Sequence, residues 1–249
     1  MGKTHKALER AEEDYQENLL GHSRQPLSEV VSAPPPKQAT NHTVMESYDD
    51  LKTNLLTRYP DGAIRSILFM GISHGGGCST TAVNFATALA REAKLKVLLI
   101  DVNLRTPGLH DIFAIDNALG LSDLRTNGGN MMSLIKKVVP ENLHVLTCGA
   151  NTSVPLGLFE DSRFDQLLKD MREWFDYVIL DAPPVLRFSE CRVLCSKVDG
   201  VILVIEAGKT RQQVALRAKK ALEEAEGKLL GVVLNRKKYY IPDWIYQRL

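Results

Sequence analysis

From Ser66 onward, apolar segments alternate with helical patterns, and this alternation constrains the fold more than any other feature. Continuous apolar strands separated by helices are typical of a mainly parallel sheet covered by helices on both faces. We therefore expect an α/β fold, in which ligands bind at the carboxyl ends of the strands. The predicted strands are Ser66–Met70, Val97–Ile100, Leu143–Leu146, Tyr177–Leu180, Val201–Ile205 and Leu229–Leu234. The predicted helices between them are Thr80–Lys94, Ser162–Trp174, Ser189–Lys197 and Arg211–Ala225.

The chain before Ser66 lacks this alternation of strand and helix patterns. Residues 1–20 are rich in helix formers but have few apolar anchors, which predicts a charged, exposed helix. Residues 21–43 contain Ser-Ala-Pro-Pro-Pro-Lys without periodicity, which predicts a flexible linker. A further helix is predicted over about residues 44–57. The expected organisation is an N-terminal helix, this linker, one α/β domain over 44–236, and a tail over 237–249.

Charge and hydropathy argue against nucleic-acid binding and against a transmembrane helix. The 249 residues carry a net charge of +1, so the chain has no overall electrostatic footprint for nucleic acid, and we expect none to bind. No apolar run reaches the roughly 18 residues that a transmembrane helix needs. We therefore expect a soluble protein.

The segment Gly71-Ile-Ser-His-Gly-Gly-Gly-Cys-Ser-Thr80 joins the first predicted strand to a helix. Glycines let backbone N–H groups approach phosphate oxygens, and the helix N-terminus adds to the attraction. Ser79 has the place of a hydroxyl that binds magnesium, but the residue before it, normally lysine in such loops, is Cys78. The helix N-terminus could lower the pKa of this thiol and make the loop redox-sensitive. The alternative is a glycine-rich turn that binds no ligand.

Two aspartates end predicted buried strands. Asp101 is followed by Asn103 and Arg105, and a carboxylate there is costly unless it holds a cation, a water or a backbone amide. Asp101 is thus a candidate magnesium-side carboxylate, or alternatively the cap of a turn. Asp181 precedes Ala-Pro-Pro184 and has the place of the magnesium-side carboxylate of a phosphate-loop protein.

These motifs, in this order, resemble the cytoplasmic bacterial tyrosine kinases of polysaccharide export. Those kinases are P-loop NTPases and belong with the partition and division ATPases that carry a deviant phosphate loop. The resemblance covers about residues 43–236 and the tyrosine-bearing tail. It is supported by Glu46-Ser-Tyr-Asp-Asp-Leu-Lys-Thr-Asn-Leu-Leu56, Arg105-Thr-Pro-Gly-Leu-His110, Leu119-Gly-Leu-Ser-Asp123, Ala207-Gly-Lys-Thr210 and Gly-Val-Val-Leu-Asn-Arg236.

The resemblance implies a role for each matching position, with ATP or ADP and Mg²⁺ as cofactors. Catalytic roles fall on Asp101, Asn103 and Asp181, and the metal would lie among Ser79, Asp101 and Asp181. Nucleotide binding falls on Gly75, Gly76, Gly77, Cys78, Ser79, Thr80 and, at the adenine, Asn235. The phosphate acceptors would be Tyr239, Tyr240 and Tyr246, and the oligomer interface would include Glu46, Asp49 and Lys52.

The resemblance also implies a membrane-bound partner, the polysaccharide co-polymerase or chain-length adaptor. It places the chain in the cytoplasm, at the inner face of the plasma membrane through that partner, and allows a homo-oligomer. Four positions depart from the family pattern: Cys78 replaces the loop lysine, His74 replaces the lysine at the start of deviant loops, Asn103 replaces a carboxylate, and Asp49 replaces an arginine. The tail has three tyrosines instead of a dense cluster.

The sequence favours a nucleotide-binding, tyrosine-autokinase-like protein that regulates envelope or exopolysaccharide biosynthesis or export. Its catalysis would be weak or lost, because losing one preorganised donor costs on the order of 10²–10³ in rate. One alternative is an active autokinase that takes a cation from Arg105 or from a neighbouring subunit. The others are a partition-type ATPase and a scaffold that binds no nucleotide.

Overall fold

The computed structural model describes residues 42–60, 62–124, 131–151 and 155–237. The predicted N-terminal helix, nearly all of the predicted linker, and the candidate acceptors Tyr239, Tyr240 and Tyr246 lie outside these residues. Among the described residues, no helix combines the length and apolar character needed to cross a bilayer.

Helices and strands alternate through the described chain. The helices are α1 (His42–Arg58), α2 (Cys78–Ala90), α3 (Leu109–Phe113), α4 (Pro155–Phe159), α5 (Ser162–Trp174), α6 (Glu190–Lys197) and α7 (Gln212–Glu224). The strands are β1 (Ser66–Gly71), β2 (Val97–Asp101), β3 (Lys136–Lys137), β4 (Leu143–Leu146), β5 (Tyr177–Ala182), β6 (Gly200–Glu206) and β7 (Leu229–Asn235). Two short 3₁₀ turns, Leu121–Asp123 and Met131–Leu134, lie between α3 and β3.

The strands form one sheet in the order β3-β4-β2-β5-β1-β6-β7. All neighbouring strands are parallel except β3, which pairs antiparallel with β4. The mainly parallel α/β fold is therefore confirmed. The carboxyl ends of β1, β2, β5, β6 and β7 meet at one edge, and the candidate site residues follow them there.

The sheet has a core on each face, since successive side chains of a strand point to opposite sides. Leu68 and Met70 of β1 pack with apolar residues of α5 and α6, whereas Ile67 and Phe69 pack with residues of α1 and α2. All six residues of β1 are buried. This double burial is why the strands read as continuous apolar runs.

The predicted elements are present with small shifts of their ends. For example, α2 begins at Cys78 rather than Thr80 and ends at Ala90 rather than Lys94, because the chain turns back between Leu89 and Leu95. The sequence reasoning missed α3, α4 and the two-residue strand β3. These elements are too short to show a period of 3.6 or 2 residues.

Candidate functional site

The loop between β1 and α2 has the backbone geometry of an anion site. Gly75 and Gly77 adopt left-handed conformations, with φ angles of 75° and 86°. Gly77 is the N-cap of α2 and has no side chain to cap the helix. Amide groups of the first helical turn are left without an intrahelical acceptor, so they are donors for a bound anion.

Asn235, at the end of β7, holds this loop from one side. Its amide nitrogen donates to the carbonyl oxygens of Gly76, at 3.0 Å, and Gly77, at 3.5 Å. Its amide oxygen accepts from the Arg236 backbone N–H at 2.9 Å. A Cβ atom on Gly77 would lie 2.0 Å from the Asn235 nitrogen. Only glycine therefore fits at position 77 beside this amide, and Asn235 would have to release the loop to contact a base.

Asp101 is engaged by backbone amides. Its carboxylate accepts from the N–H of Asn103 at 3.1 Å, of Gly108 at 3.0 Å and of Leu109 at 3.1 Å. These bonds close the loop after β2 and fix the start of α3. Asn103 is in turn bonded to Thr106 through its side-chain oxygen and nitrogen, at 3.2 Å each. The turn-capping alternative thus describes the contacts that Asp101 makes within the chain.

Asp181 lies beside Asp101, as its register partner on β5, but its carboxylate is not engaged. The side chain is buried, at 1% exposure of the residue, and within the described part of the chain neither oxygen has a hydrogen-bond partner. The residues that follow explain the difference. At Asp101, the backbone N–H of Asn103, two residues later, closes the turn. The residue two positions after Asp181 is Pro183, which has no N–H.

Burial raises the pKa of Asp181, and the neighbouring Asp101 charge raises it further. The Ser79 hydroxyl and the Cys78 thiol lie close enough to lower that pKa in part, although neither makes a hydrogen bond of good geometry to it. An unpaired buried carboxylate beside a hydroxyl at the start of α2 is an arrangement that a hard divalent cation would stabilise, since such cations take oxygen ligands.

The pKa of the Cys78 thiol is raised, whereas its place at a helix N-terminus allowed for a lowered pKa and a redox-sensitive loop. Burial raises its pKa well above the ordinary value, and the Asp181 carboxylate raises it further. A thiolate is the reactive form of cysteine, and here it is disfavoured. The prediction that the helix N-terminus lowers the pKa of Cys78 is wrong, because desolvation and the neighbouring carboxylate outweigh the helix.

Arg105 is held by two contacts near the same edge. Its Nε atom donates to Glu190 Oε1 at 2.8 Å, and its guanidinium lies 5.1 Å from the centroid of the Phe188 ring. Glu190 is buried, at 1% exposure. Sequence reasoning missed Glu190, although an acidic residue in the first turn of a predicted helix is a recognisable signal. Moving Arg105 would leave this buried carboxylate unpaired.

The structure brings together the loop residues 75–80, Asp101, Asp181 and Asn235. The predicted interface residues lie elsewhere, on α1, where Lys52 Nζ contacts Asp49 Oδ1 at 3.1 Å and Glu92 Oε1 at 2.8 Å. Glu92 follows the C-terminus of α2, so Lys52 lies at the end of that helix opposite the loop.

The sequence also matches known proteins. Residues 65–217 match a family described as "AAA domain". The tyrosine-protein kinase YwqD of Bacillus subtilis (strain 168) is 35% identical over 193 residues, which cover 78% of this chain and 81% of that protein. The putative tyrosine-protein kinase CapB of Staphylococcus aureus is 32% identical over 194 residues, covering 78% and 85% of the two chains.

A crystal structure of the chimerical protein CapA2B2 superimposes with a TM-score of 0.76. Its sequence is 29% identical, and the match covers 91% of this chain and 99% of that one. The fold, the phosphate-loop geometry and the sequence similarity agree, so the chain belongs to the bacterial tyrosine-protein kinase family of P-loop ATPases.

Proposed function

We propose that this protein binds ATP or ADP with Mg²⁺ at the carboxyl edge of the sheet and transfers phosphate slowly or not at all. In this proposal it acts as a regulatory, tyrosine-autokinase-like protein of envelope or exopolysaccharide export. The observation that carries the nucleotide proposal is the buried carboxylate of Asp181, with two unpartnered oxygens beside Ser79.

The phosphates would be held by backbone N–H groups of the loop between Gly75 and Thr80. The left-handed glycines and the uncapped start of α2 support this assignment, because they leave donors without intrahelical acceptors. Ser79 and Asp181 would hold the magnesium ion, which neutralises phosphate charge when bound. Three backbone amides already occupy the Asp101 carboxylate. Asp101 would therefore contribute indirectly, by its charge beside Asp181 and by closing the loop after β2.

Slow transfer follows from Cys78. Phosphoryl transfer depends on positioning and on stabilising charge at the transferred group, and a lysine at this position normally contributes a cation. A neutral thiol contributes none. The loss of one preorganised donor corresponds to about 3–4 kcal/mol of transition-state stabilisation. Nucleotide binding would suffer less, because backbone amides and the metal ligands remain.

The alternative of an active autokinase needs a cation from another source. Arg105 is a poor source, because leaving its place would strand the buried Glu190 carboxylate, a loss of the kind that costs about 3–5 kcal/mol. A cation from a neighbouring subunit is the remaining form of this alternative.

The partner in this proposal is a membrane-bound polysaccharide co-polymerase or chain-length adaptor. It would bring the protein to the inner face of the plasma membrane. Tyr239, Tyr240 and Tyr246 are the proposed phosphate acceptors, and a homo-oligomer would use Glu46, Asp49 and Lys52. These parts of the proposal rest on the family resemblance.

Titration of the purified protein with labelled ADP and ATP, with and without magnesium, tests the central claim. We expect both nucleotides to bind, and binding to weaken when magnesium is removed. Ser79→Ala should reduce the effect of magnesium, whereas Ser196→Ala, on the exposed side of α6, should not. No heat and no thermal shift at millimolar nucleotide would favour the scaffold alternative, and rapid autophosphorylation of the wild type would favour the active kinase.

A further inference from the structure

A groove separates the C-terminal half of α1 from the edge strand β7. We call it the α1/β7 groove. It is a half-open cavity of about 170 Å³, lined mainly by apolar residues that include Leu51, Leu55, Tyr59, Leu230 and Val233. Gly231 lies in its wall, and a Cβ atom added there would meet nothing within 4 Å. The groove therefore has room for side chains that are not its own.

The strand beside the groove is an edge strand of the described sheet. β7 is the last strand in the sheet order and pairs with β6 on one side. Val233 on this strand packs on the α1 face, whereas Val232 and Leu234, at 48% and 61% exposure, point to the opposite face of the sheet. Exposed, apolar edge strands are a liability that proteins usually cover with another segment. The free edge of β7 in the described sheet, next to the groove, therefore favours an occupant that covers it.

Two cations mark one end of the groove. Lys228 Nζ lies 4.9 Å from the centroid of the Tyr59 ring, and the Arg58 guanidinium lies 5.9 Å from it. Both side chains are exposed, and neither forms an ion pair within the described ranges. Two uncompensated cations beside an apolar groove fit an occupant that is apolar on one face and acidic on its flanks.

The N-terminal segment of this chain has that pattern. Its residues Leu8, Ala11, Tyr15 and Leu19 are spaced by three or four positions and would share one face of a helix. Residues 9–18 (Glu-Arg-Ala-Glu-Glu-Asp-Tyr-Gln-Glu-Asn) carry five acidic side chains and one basic side chain. The C-terminal tail, residues 237–249, by contrast carries three basic side chains and one acidic side chain, and this net positive charge would be repelled by Arg58 and Lys228.

The connection is long enough. Residues 21–41 join this segment to α1, and a flexible linker of that length spans about 25 Å on average. The 17 residues of α1 are about as long, at roughly 1.5 Å per residue. The segment can therefore reach the far half of α1, and the linker gives it an effective concentration on the order of millimolar.

We propose that residues 8–20 dock as a helix in the α1/β7 groove of the same chain. Leu8, Ala11, Tyr15 and Leu19 would fill the space over Gly231, and the acidic residues would face Arg58 and Lys228. The docked segment covers the edge of β7 and attaches α1 more firmly to the sheet. This proposal does not depend on nucleotide binding.

Amide hydrogen exchange of the full-length protein tests the proposal. We expect amides of residues 8–20 to exchange at least about tenfold more slowly than in an unstructured peptide. Gly231→Leu fills the groove, and the double variant Arg58→Glu with Lys228→Glu reverses its charge. Each should bring these amides close to the unstructured rate. The control double variant Lys169→Glu with Arg217→Glu makes the same change of net charge on α5 and α7, which pack on the opposite face of the sheet from α1, and should leave the protection intact.

The outcomes are distinct. Unprotected amides in the wild type, or protection that survives both groove variants, would overturn the proposal. Protection that increases with protein concentration would assign the groove to a second copy instead. Amides of β1 and β5 in the same measurement report folding, and if Gly231→Leu disturbs them, the charge-reversed variant decides, because it alters exposed side chains alone.

Discussion

Asp101 and Asp181 are register partners at the carboxyl ends of β2 and β5, yet only Asp101 has its carboxylate occupied by backbone amides. The chain after Asp101 supplies N–H groups, whereas Pro183 and Pro184 after Asp181 cannot. One aspartate therefore closes a loop, and the other keeps both oxygens for a ligand. This asymmetry separates a structural role from a binding role at two positions that look alike in sequence.

Replacing Asp181 should affect stability and ligand binding in opposite directions. At pH 9, above the raised pKa of about 8, we expect Asp181→Asn to stabilise the ligand-free protein by about 1–3 kcal/mol, because an unsatisfied buried charge is removed. The same change should weaken magnesium-dependent nucleotide binding. Thermal unfolding with and without magnesium-ADP measures both effects. Asp116→Asn, an exposed carboxylate, is the control, and a loss of stability in Asp181→Asn would contradict the unpartnered state of this side chain.

Gly77→Ala should distort the phosphate loop. The new Cβ would require a left-handed conformation and would collide with the Asn235 nitrogen, so we expect a loss of about 1–3 kcal/mol of stability and weaker nucleotide binding. Chemical unfolding and calorimetry provide the two measurements.

Gly208→Ala is the control that separates two causes of the loss in Gly77→Ala, the backbone strain of a left-handed conformation and the collision with Asn235. Gly208 has a φ of 74° but open space around it, so this variant should lose less stability than Gly77→Ala. Adding Asn235→Ala to Gly77→Ala should recover part of the loss, since residues in contact are not additive. If the stability losses of Gly77→Ala and Asn235→Ala simply add in the double variant, the collision between the two side chains is not the cause of the loss.

Cys78→Lys should raise phosphotransfer, because it returns a cation to a loop whose backbone is already shaped for phosphate. We expect an increase on the order of 10²–10³ in rate. Autophosphorylation with labelled ATP measures it. Cys78→Met, which is long but uncharged, should give no increase. If the wild type is already fast and the lysine variant is no faster, catalysis has not been weakened at this position.

Self-association should be weak in the wild type. Lys52 is bonded to Asp49 and Glu92 of its own chain, and the family resemblance implies an arginine where this chain has Asp49. A carboxylate that meets another carboxylate across an interface costs several kcal/mol. We expect Asp49→Arg to increase the average mass in light scattering at low micromolar concentration and Asp50→Arg not to. A stable wild-type octamer would contradict this expectation.

Asp199 should link stability to pH. Burial alone would raise its pKa, but the N–H groups of Ser66 and Arg65, the Ser66 hydroxyl and the Arg172 charge outweigh burial and lower it. A lowered pKa favours the folded state at pH values above the unfolded pKa, about 3.9, and this advantage is lost as the pH falls through the folded value.

We therefore expect Asp199→Asn to cost about 1–3 kcal/mol at pH 7, and the cost to shrink as the pH falls from about 4 through the lowered pKa of the folded state. Urea unfolding at several pH values measures the difference. Glu223→Gln, in an exposed i,i+4 pair with Lys219, should change stability by less than about 0.5 kcal/mol. A cost for Asp199→Asn that is the same at pH 3 and pH 7 would exclude the ionised carboxylate as its cause.

The sequence alone determined the α/β class, the phosphate loop and the strand that ends at Asp181. Runs such as Ile67–Met70 are apolar throughout because both faces of the sheet are covered, and Gly75 and Gly77 are needed for left-handed backbone. These signals are local, so they can be read without knowing what lies opposite. Even the free carboxylate of Asp181 has a local signal, in the two prolines that follow.

Contacts between distant segments were decided only by the tertiary structure. Asn235 meets Gly77 across 158 positions of the chain, and Arg105 meets Glu190 across 85. The pKa of Cys78 is raised because folding desolvates the partly buried thiol and brings it near Asp181, which no neighbouring residue in sequence indicates. The α1/β7 groove likewise exists because a helix and an edge strand far apart in sequence pack together around Gly231. Burial and charge act through space, and the order of residues along the chain does not specify either.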